Sequence, residues 1–251
     1  MDGIANKQFL ELEETHWWFQ GRRRIFFHVL DKALKGSPTP RILDVGCGAG
    51  GMMKGLQRYG ATWGLEPADE MVRECRARGF SNVLAGSATE LPIKGGVFDL
   101  VTFFDCLEHV DDDEGALGEA QRVLRPGGLL FVSVPAYQFL YAQNDRLAHH
   151  KRRYTLSALR SKIHSAGFRV IHASYINFWL FPIILPTVLI LKLKDRVLSG
   201  NGQTTNLSYP LPRWMHSCLA AIFSSERRLV RRWSAPVGHS LFLLASKHGP
   251  R

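Results

Sequence analysis

The chain has 251 residues, 45% of them apolar, a formal net charge of +10 and an isoelectric point near 9.7. That length fits one large α/β domain with insertions, and the apolar content is ample for a buried core. The four cysteines, Cys47, Cys75, Cys106 and Cys218, lack the density of a disulfide scaffold and the paired short spacing of a zinc site. They read as reduced thiols, and no metal is expected. The basic charge favours an anionic partner without choosing among nucleic acid, a phospholipid surface and a phosphorylated substrate.

In chain order, the first ten residues are interrupted by Asp2, Asn6 and Lys7, so they do not form a secretory signal, and a cytoplasmic protein is expected. Residues 1–39 read as an N-terminal helical lid in which bulky aromatics meet basic residues, His16-Trp17-Trp18-Phe19-Gln20-Gly21-Arg22-Arg23-Arg24. From Arg41 onward short apolar runs alternate with helical patterns, which predicts a parallel sheet covered by helices on both faces. Strands are expected at 41–45, 62–66, 82–85, 98–104 and 129–134, and helices near 51–59, 68–78 and 113–124. The stretch Arg125-Pro126-Gly127-Gly128 reads as a helix stop and tight turn. A helix near 156–166, a strand at 169–175 and a last apolar run at 240–245 complete the frame.

Before that last run the chain inserts fourteen mostly apolar residues, 178–191, followed by Lys192, Lys194 and Arg196. The run is shorter than the roughly 20 residues of a spanning helix, and Pro182 and Pro186 should interrupt its hydrogen bonding. It reads as interfacial or re-entrant. Residues 212–233 place Trp214, Leu219, Ile222, Phe223 and Leu229 beside Arg227, Arg228, Arg231 and Arg232, as an amphipathic helix on an anionic membrane would. The alternative is a helical pair packed on its own domain or forming a homodimer interface.

The strand at 41–45 runs into Gly46-Cys47-Gly48-Ala49-Gly50-Gly51 and then a helical pattern. Glycines there let backbone approach a ligand at a helix N-terminus. Gly46, Gly48 and Gly51 satisfy G-x-G-x-x-G, and Glu66 follows at the end of the next strand, where a carboxylate can accept both ribose hydroxyls. This leaves a nicotinamide dinucleotide open. Asp44 argues against it, because a carboxylate inside a strand is costly without a cation and would repel a pyrophosphate.

Leu43-Asp44-Val45-Gly46-Cys47-Gly48-Ala49-Gly50 resembles the opening motif of the class I S-adenosylmethionine-dependent methyltransferases. Gly86-Ser87-Ala88-Thr89-Glu90-Leu91-Pro92 resembles that family's adenine-contacting loop. Phe98-Asp99-Leu100-Val101 with Asp105-Cys106-Leu107-Glu108-His109-Val110 resembles its fourth strand and following turn, and Leu124-Arg125-Pro126-Gly127-Gly128-Leu129-Leu130 extends the likeness to about residues 40–135. The resemblance implies a Rossmann-like seven-stranded sheet, mostly parallel with an antiparallel last strand and helices on both faces. It implies a domain made of 40–178 and 239–251, interrupted by a hydrophobic, basic helical insertion at 179–238. The cofactor implied is S-adenosyl-L-methionine, held by Asp44, Gly46, Cys47, Gly48, Glu66, Pro67, Ser87, Ala88, Asp105 and Cys106. Ser87 stands where many relatives carry Asp.

Methyl transfer from a sulfonium is an in-line displacement, so alignment and desolvation are the protein's main duties, and an oxygen or carbon acceptor also calls for a base. Asp145, His149, His150, Arg152, Arg153 and Tyr154 lie in a stretch similar to an Asp-x-x-x-Gly-His-x-Arg-Arg-Tyr signature of a bacterial subset of these enzymes, with His149 in place of Gly. His150 is the first candidate base, Asp145 the second and His109 the third. The alternative is that Asp145 pairs with Arg152 or Arg153 while the histidines only pack. The His-Trp-Trp-Phe run is similar to a motif of the same subset. Trp18 could cover the sulfonium and Arg22 or Arg23 hold the cofactor's carboxylate, or Trp17 and Phe19 could simply staple a helix to the domain.

The reading reached from sequence is a bacterial, cytoplasmic-face methyltransferase acting on a hydrophobic or lipid-linked small molecule, with peripheral membrane contact through 178–233. A nucleic-acid methyltransferase is the weaker enzyme reading, because Phe104-Asp105-Cys106-Leu107 lacks the Asn/Asp-Pro-Pro-aromatic signature of many base-amino methylases. A non-catalytic S-adenosylmethionine-binding adaptor is the reading from a different class.

Overall fold

A computed structural model describes residues 12–198, 211–230 and 232–248, and of residues 195–198 the backbone alone. The stretch 1–10, the Arg196 side chain and Arg231 lie outside the described residues. The helices are α1 (Trp17–Ala33), α2 (Met53–Leu56), α3 (Asp69–Ala77), α4 (Asp113–Val123), α5 (Gln143–Leu147), α6 (Leu156–Ser165), α7 (Phe181–Leu198) and α8 (Arg213–Val230). The strands are β1 (Ile42–Val45), β2 (Thr62–Glu66), β3 (Val83–Ala85), β4 (Phe98–Phe104), β5 (Leu124–Pro135), β6 (Phe168–Ile176) and β7 (Ser240–Lys247).

The seven strands form one sheet in the order β3-β2-β1-β4-β5-β7-β6, parallel through β5 with antiparallel last strands. This is the Rossmann-like methyltransferase sheet expected from sequence. The central strands are buried on both faces, which is why Ile42-Leu43 and Leu100-Val101 carry no alternation. Strand order reverses at β1 and β4, and that switch point puts the loops after their carboxyl ends beside one crevice. α3 starts with Asp69 and Glu70, favourable at the positive end of the helix dipole. α4 is capped by Asp112, whose carboxylate accepts the Gly115 N–H at 2.8 Å.

Two expectations change. Arg125-Pro126-Gly127-Gly128 is no separate turn: β5 already begins at Leu124, which pairs with Phe98, and Leu129 pairs with Leu100. Residues 125–128 bulge from a continuous strand, and Gly127 takes the positive φ of +74° that the bulge needs. The prolines do not break the insertion either, because residues 181–198 form one helix. Pro182 sits in the first turn, where a missing N–H costs nothing, so Pro186 alone removes an internal bond. The next turn is reinforced by Thr187 Oγ1, which donates to the Ile183 carbonyl at 2.7 Å.

The chain divides into two compact units. The sheet unit comprises 30–134, 156–173 and 242–251, and its interior is built from Ile42, Leu43, Leu100, Phe103, Phe131 and Phe242. The helical unit comprises 1–29, 135–155 and 174–241, so the expected lid, the loop after β5 and the insertion fall together. In it α1 packs on α8. The Trp17 and Phe223 rings meet edge to face at 6.1 Å, a Cβ at Gly21 would overlap the Phe223 ring, and Trp17 N–H donates to His216 Nδ1 at 3.3 Å. Buried Glu226 of α8 accepts the N–H groups of Asn177 at 2.7 Å and Trp179 at 3.0 Å, which ties the start of α7 to α8. Burial pushes this carboxyl up to about 6, against the opposing effect of the backbone N–H bonds.

Candidate functional site

Within the sheet unit, the carboxyl ends of β1, β2 and β4 converge. Asp44 is buried in β1, and burial pushes its carboxyl up to about 7, against the hydrogen bond from Thr102 Oγ1 to Oδ1 at 2.7 Å and with the help of the Glu66 charge. The parallel register sets Thr102 of β4 directly beside Asp44, which is how the hydroxyl reaches it. A carboxylate held at this cost is primed for a cation.

The chain leaves β1 at Gly46, whose φ of +72° suits glycine and whose Cβ, if present, would overlap the Cys106 thiol. The loop thus lies tight against the turn after β4. Glu66, at the end of β2, accepts Gly48 N–H on Oε2 at 2.9 Å and Ala68 N–H on Oε1 at 3.1 Å. Burial raises its pKa and these two bonds oppose the rise. Each oxygen keeps a second lone pair, so the carboxylate can still accept a pair of ribose hydroxyls.

Pro67 is exposed beside Glu66, and Cys47 and Ala88 are buried. Ser87 is exposed, and its hydroxyl accepts the Thr89 N–H at 3.2 Å and lies 2.8 Å from Thr89 Oγ1. It shapes the loop through Thr89. Asp105 follows β4 with a φ of +50° and is fixed by Ser133, whose Oγ donates to its Oδ1 at 3.2 Å. Cys106 leads into the short turn Leu107–His109 that carries His109, and burial pushes its thiol well up.

The remaining candidates belong to the helical unit. Asp145 is almost fully buried in α5. It accepts His150 Nδ1 at 2.8 Å, Arg153 Nε at 2.8 Å, Arg153 through a terminal nitrogen at 2.9 Å, and the Ala142 N–H at 2.8 Å. Burial alone would raise its pKa, but the bonds from His150 and Arg153 outweigh that and hold the carboxyl well below the usual range. An ionised Asp145 requires the proton on Nδ1 of His150, which puts the imidazole's basic lone pair on Nε2. Asp145 thus pairs with Arg153, as the packing alternative from sequence has it, and holds His150 by the same carboxylate. Arg22 lies over the rings of Trp18 at 4.1 Å and Phe19 at 4.9 Å, and Arg23 donates to the Glu13 carbonyl at 2.7 Å.

Sequence reasoning missed Thr102 and Ser133 as members of the site, and named Arg153 only as one of two arginines that Asp145 could pair with. Thr102 and Ser133 lie within apolar strands and become visible only through register. Arg153 lay in the quoted motif, and its charge next to a buried acid was the signal available.

A switch-point crevice, a glycine turn, an acid on β2 and a desolvated acid on β1 define a nucleoside-binding Rossmann-like domain suited to a cationic ligand. Residues 43–132 match the family described as a methyltransferase domain. A ubiquinone biosynthesis O-methyltransferase from Rhizobium leguminosarum is 36% identical over 99 residues, 37% of this chain and 39% of that protein. A relative from Mycolicibacterium smegmatis named for S-adenosylmethionine-dependent methyl transfer is 29% identical over 171 residues, 63% of this chain and 62% of that protein. The crystal structure of an S-adenosylmethionine-dependent methyltransferase from Thermotoga maritima superposes with a TM-score of 0.59 at 20% identity, covering 98% of this chain and all of that one. Residues 43–132 thus match a methyltransferase domain within a Rossmann-like fold, and the cofactor that this match implies is S-adenosylmethionine. The chain spans between 36% and 43% of the length of the first curated relatives it matches.

Proposed function

We propose that this protein transfers a methyl group from S-adenosylmethionine to a hydroxyl of a hydrophobic or lipid-linked small molecule at the inner surface of a membrane. The observation that carries the reading is the distribution of exposed apolar surface. Of the eleven large apolar side chains exposed among the described residues, ten belong to the helical unit, including Trp179, Ile183, Ile190, Leu193, Trp214 and Trp233. Beyond Phe181, α7 has no buried residue up to Lys194. Patches of this kind mark interaction surfaces. Lys192, Lys194, Arg213, Arg227 and Arg228 on the same two helices suit anionic headgroups, and tryptophans suit the interface. No helix among the described residues is long and apolar enough to cross a membrane, so contact would be peripheral.

When bound, the cofactor supplies a methyl on a sulfonium, and its departure leaves the neutral thioether. Asp44 takes the cofactor's ammonium and, in doing so, gives up the proton that burial favours. Glu66 would take the ribose hydroxyls, and Gly46, Cys47, Gly48, Asp105 and Cys106 would hold the amino-acid end. Pro67, Ser87 and Ala88 would hold the adenine. Arg22 and Trp18 serve the carboxylate and sulfonium. His150 receives the acceptor's hydroxyl proton on Nε2 as the oxygen forms its bond to the methyl carbon, with Asp145 orienting the ring and stabilising the imidazolium; His109 is the secondary candidate. The O-methyltransferases among the relatives support an oxygen acceptor.

The test is incubation with labelled S-adenosylmethionine, membrane lipid extract and total nucleic acid of the source cell. Label in the solvent-extractable small-molecule fraction, abolished by His150→Gln, is expected. Label in nucleic acid, or cofactor binding with no transfer to any fraction, would sink the reading.

A further inference from the structure

The loop 136–141 follows β5 and is held in a conformation that its sequence does not favour. Tyr137 has φ +61° and ψ +113°, an outlier for a bulky side chain. Glycine would adopt that backbone without strain, so the tyrosine ring does not serve the turn itself. Strained backbone of this kind persists where its surroundings over-determine it, and it clusters at ligand sites.

Here the surroundings are specific and lie within the helical unit. Tyr137 N–H donates to the Tyr154 carbonyl at 2.9 Å, and Lys192 Nζ of α7 donates to the Phe139 carbonyl at 2.7 Å. Arg153 donates from its backbone N–H to Gln138 Oε1 at 2.8 Å and from its side chain to the Ala136 carbonyl at 3.1 Å. Tyr141 donates its hydroxyl proton to the His150 carbonyl at 2.7 Å. The loop is therefore bolted to the Asp145–His150–Arg153 array at both ends.

Its aromatic side chains face one another. The Tyr137 ring stacks on Tyr175 at 5.0 Å and 14°, and lies 5.4 Å from Phe139 and 6.0 Å from Phe181. Tyr175 and Phe181 are buried, Tyr137 is half-buried and Phe139 is 54% exposed. The row of rings thus runs from the interior of the unit to solvent and ends on an open face.

We propose that Tyr137 and Phe139 are the residues that select the acceptor, by receiving a planar aromatic ring at the solvent end of this row. The inference rests on the reading above and narrows its substrate class from hydrophobic small molecules to aromatic ones bearing a hydroxyl. Stacked rings attract beyond their shared apolar area, which an aliphatic tail of equal bulk does not match.

The test uses the full chain loaded with S-adenosylhomocysteine, with 4-geranylcatechol and geraniol as probes of equal tail, followed by calorimetry. The catechol should bind about tenfold more tightly than the alcohol. Tyr137→Gly and Phe139→Ala should remove most of that difference, while Tyr137→Phe keeps it. Phe139→Ala alters an exposed side chain, so its melting temperature should stay within about 2 °C of the parent's. Equal binding of the two probes, binding of neither, or a catechol preference that survives both substitutions would overturn the proposal. A catechol that binds with the expected preference but is never methylated would instead overturn the methyl-transfer reading and leave ring selection standing.

Discussion

In the sheet unit the strand residues of β1 are all buried, and among the described residues Ile171 is its one exposed large apolar side chain; the helical unit exposes ten, three of them tryptophans. The polar groups differ in parallel. The sheet unit buries Asp44 and Glu66 at a cost that raises both pKa values; in the helical unit burial raises Glu226 likewise, but Asp145 is surrounded with donors until its pKa falls. A carboxylate whose own protein has already satisfied it works through its neighbours, here by orienting His150. One left undersatisfied is available to a ligand. The contrast separates a unit whose buried acids suit a charged small molecule from one that exposes most of the large apolar side chains.

Substitutions can break the contrast at either side. The largest effect is expected from Asp145→Asn, which strands the buried Arg153 side chain and releases His150, and should cost about 3–5 kcal/mol, or about 10 °C in melting temperature. Because the folded pKa of Asp145 is depressed, its contribution is present above the unfolded carboxylate value of 3.8 and is lost as pH falls through the lower folded value. The gap between parent and variant should therefore hold from pH 8 to about pH 4 and close below it. Next, Glu66→Ala should weaken S-adenosylmethionine binding about 100-fold in calorimetry, since charge-assisted bonds to the ligand and the anchor of Gly48 are lost together.

A smaller effect tests the other unit. Ile190→Asp with Leu193→Asp should lower co-flotation with anionic phospholipid vesicles about tenfold while melting is unchanged. If the parent instead sediments as a dimer that the pair dissociates, the apolar face is covered by a second copy. The smallest effect should be a gain. Asn177 is buried at φ +63°, and neither atom of its side-chain amide has a hydrogen-bond partner, so Asn177→Gly should stabilise by about 1 kcal/mol.

Sequence carried the sheet better than the helical unit, for a physical reason. Strands buried on two sides announce themselves as apolar runs, so 62–66 and 98–104 were placed at the bounds observed for β2 and β4. The glycine turn and Glu66 were legible because the ligand-facing backbone imposes residue types at fixed spacing. Thr102 was not, since its contact with Asp44 depends on the β1–β4 register, which no local pattern encodes. The aromatic run beginning at His16 offers either a cover for the cofactor or a helix staple, and the partner Phe223 that Trp17 packs on, about 200 positions away, is not visible in any local pattern. The row of rings that Tyr137 begins was equally hidden, because its members come from three separate stretches of chain.

The most direct test of the account is the proton linked to cofactor binding. Titration of S-adenosylmethionine into the protein, in buffers of different ionisation enthalpy, should show about one proton released per molecule bound at pH 6 and close to none at pH 8, because the ligand's ammonium holds Asp44 ionised while burial alone keeps it protonated below about 7. Asp44→Asn should abolish the release and weaken binding. Failure to bind, or binding with no proton exchange at either pH and no dependence on Asp44, would contradict it.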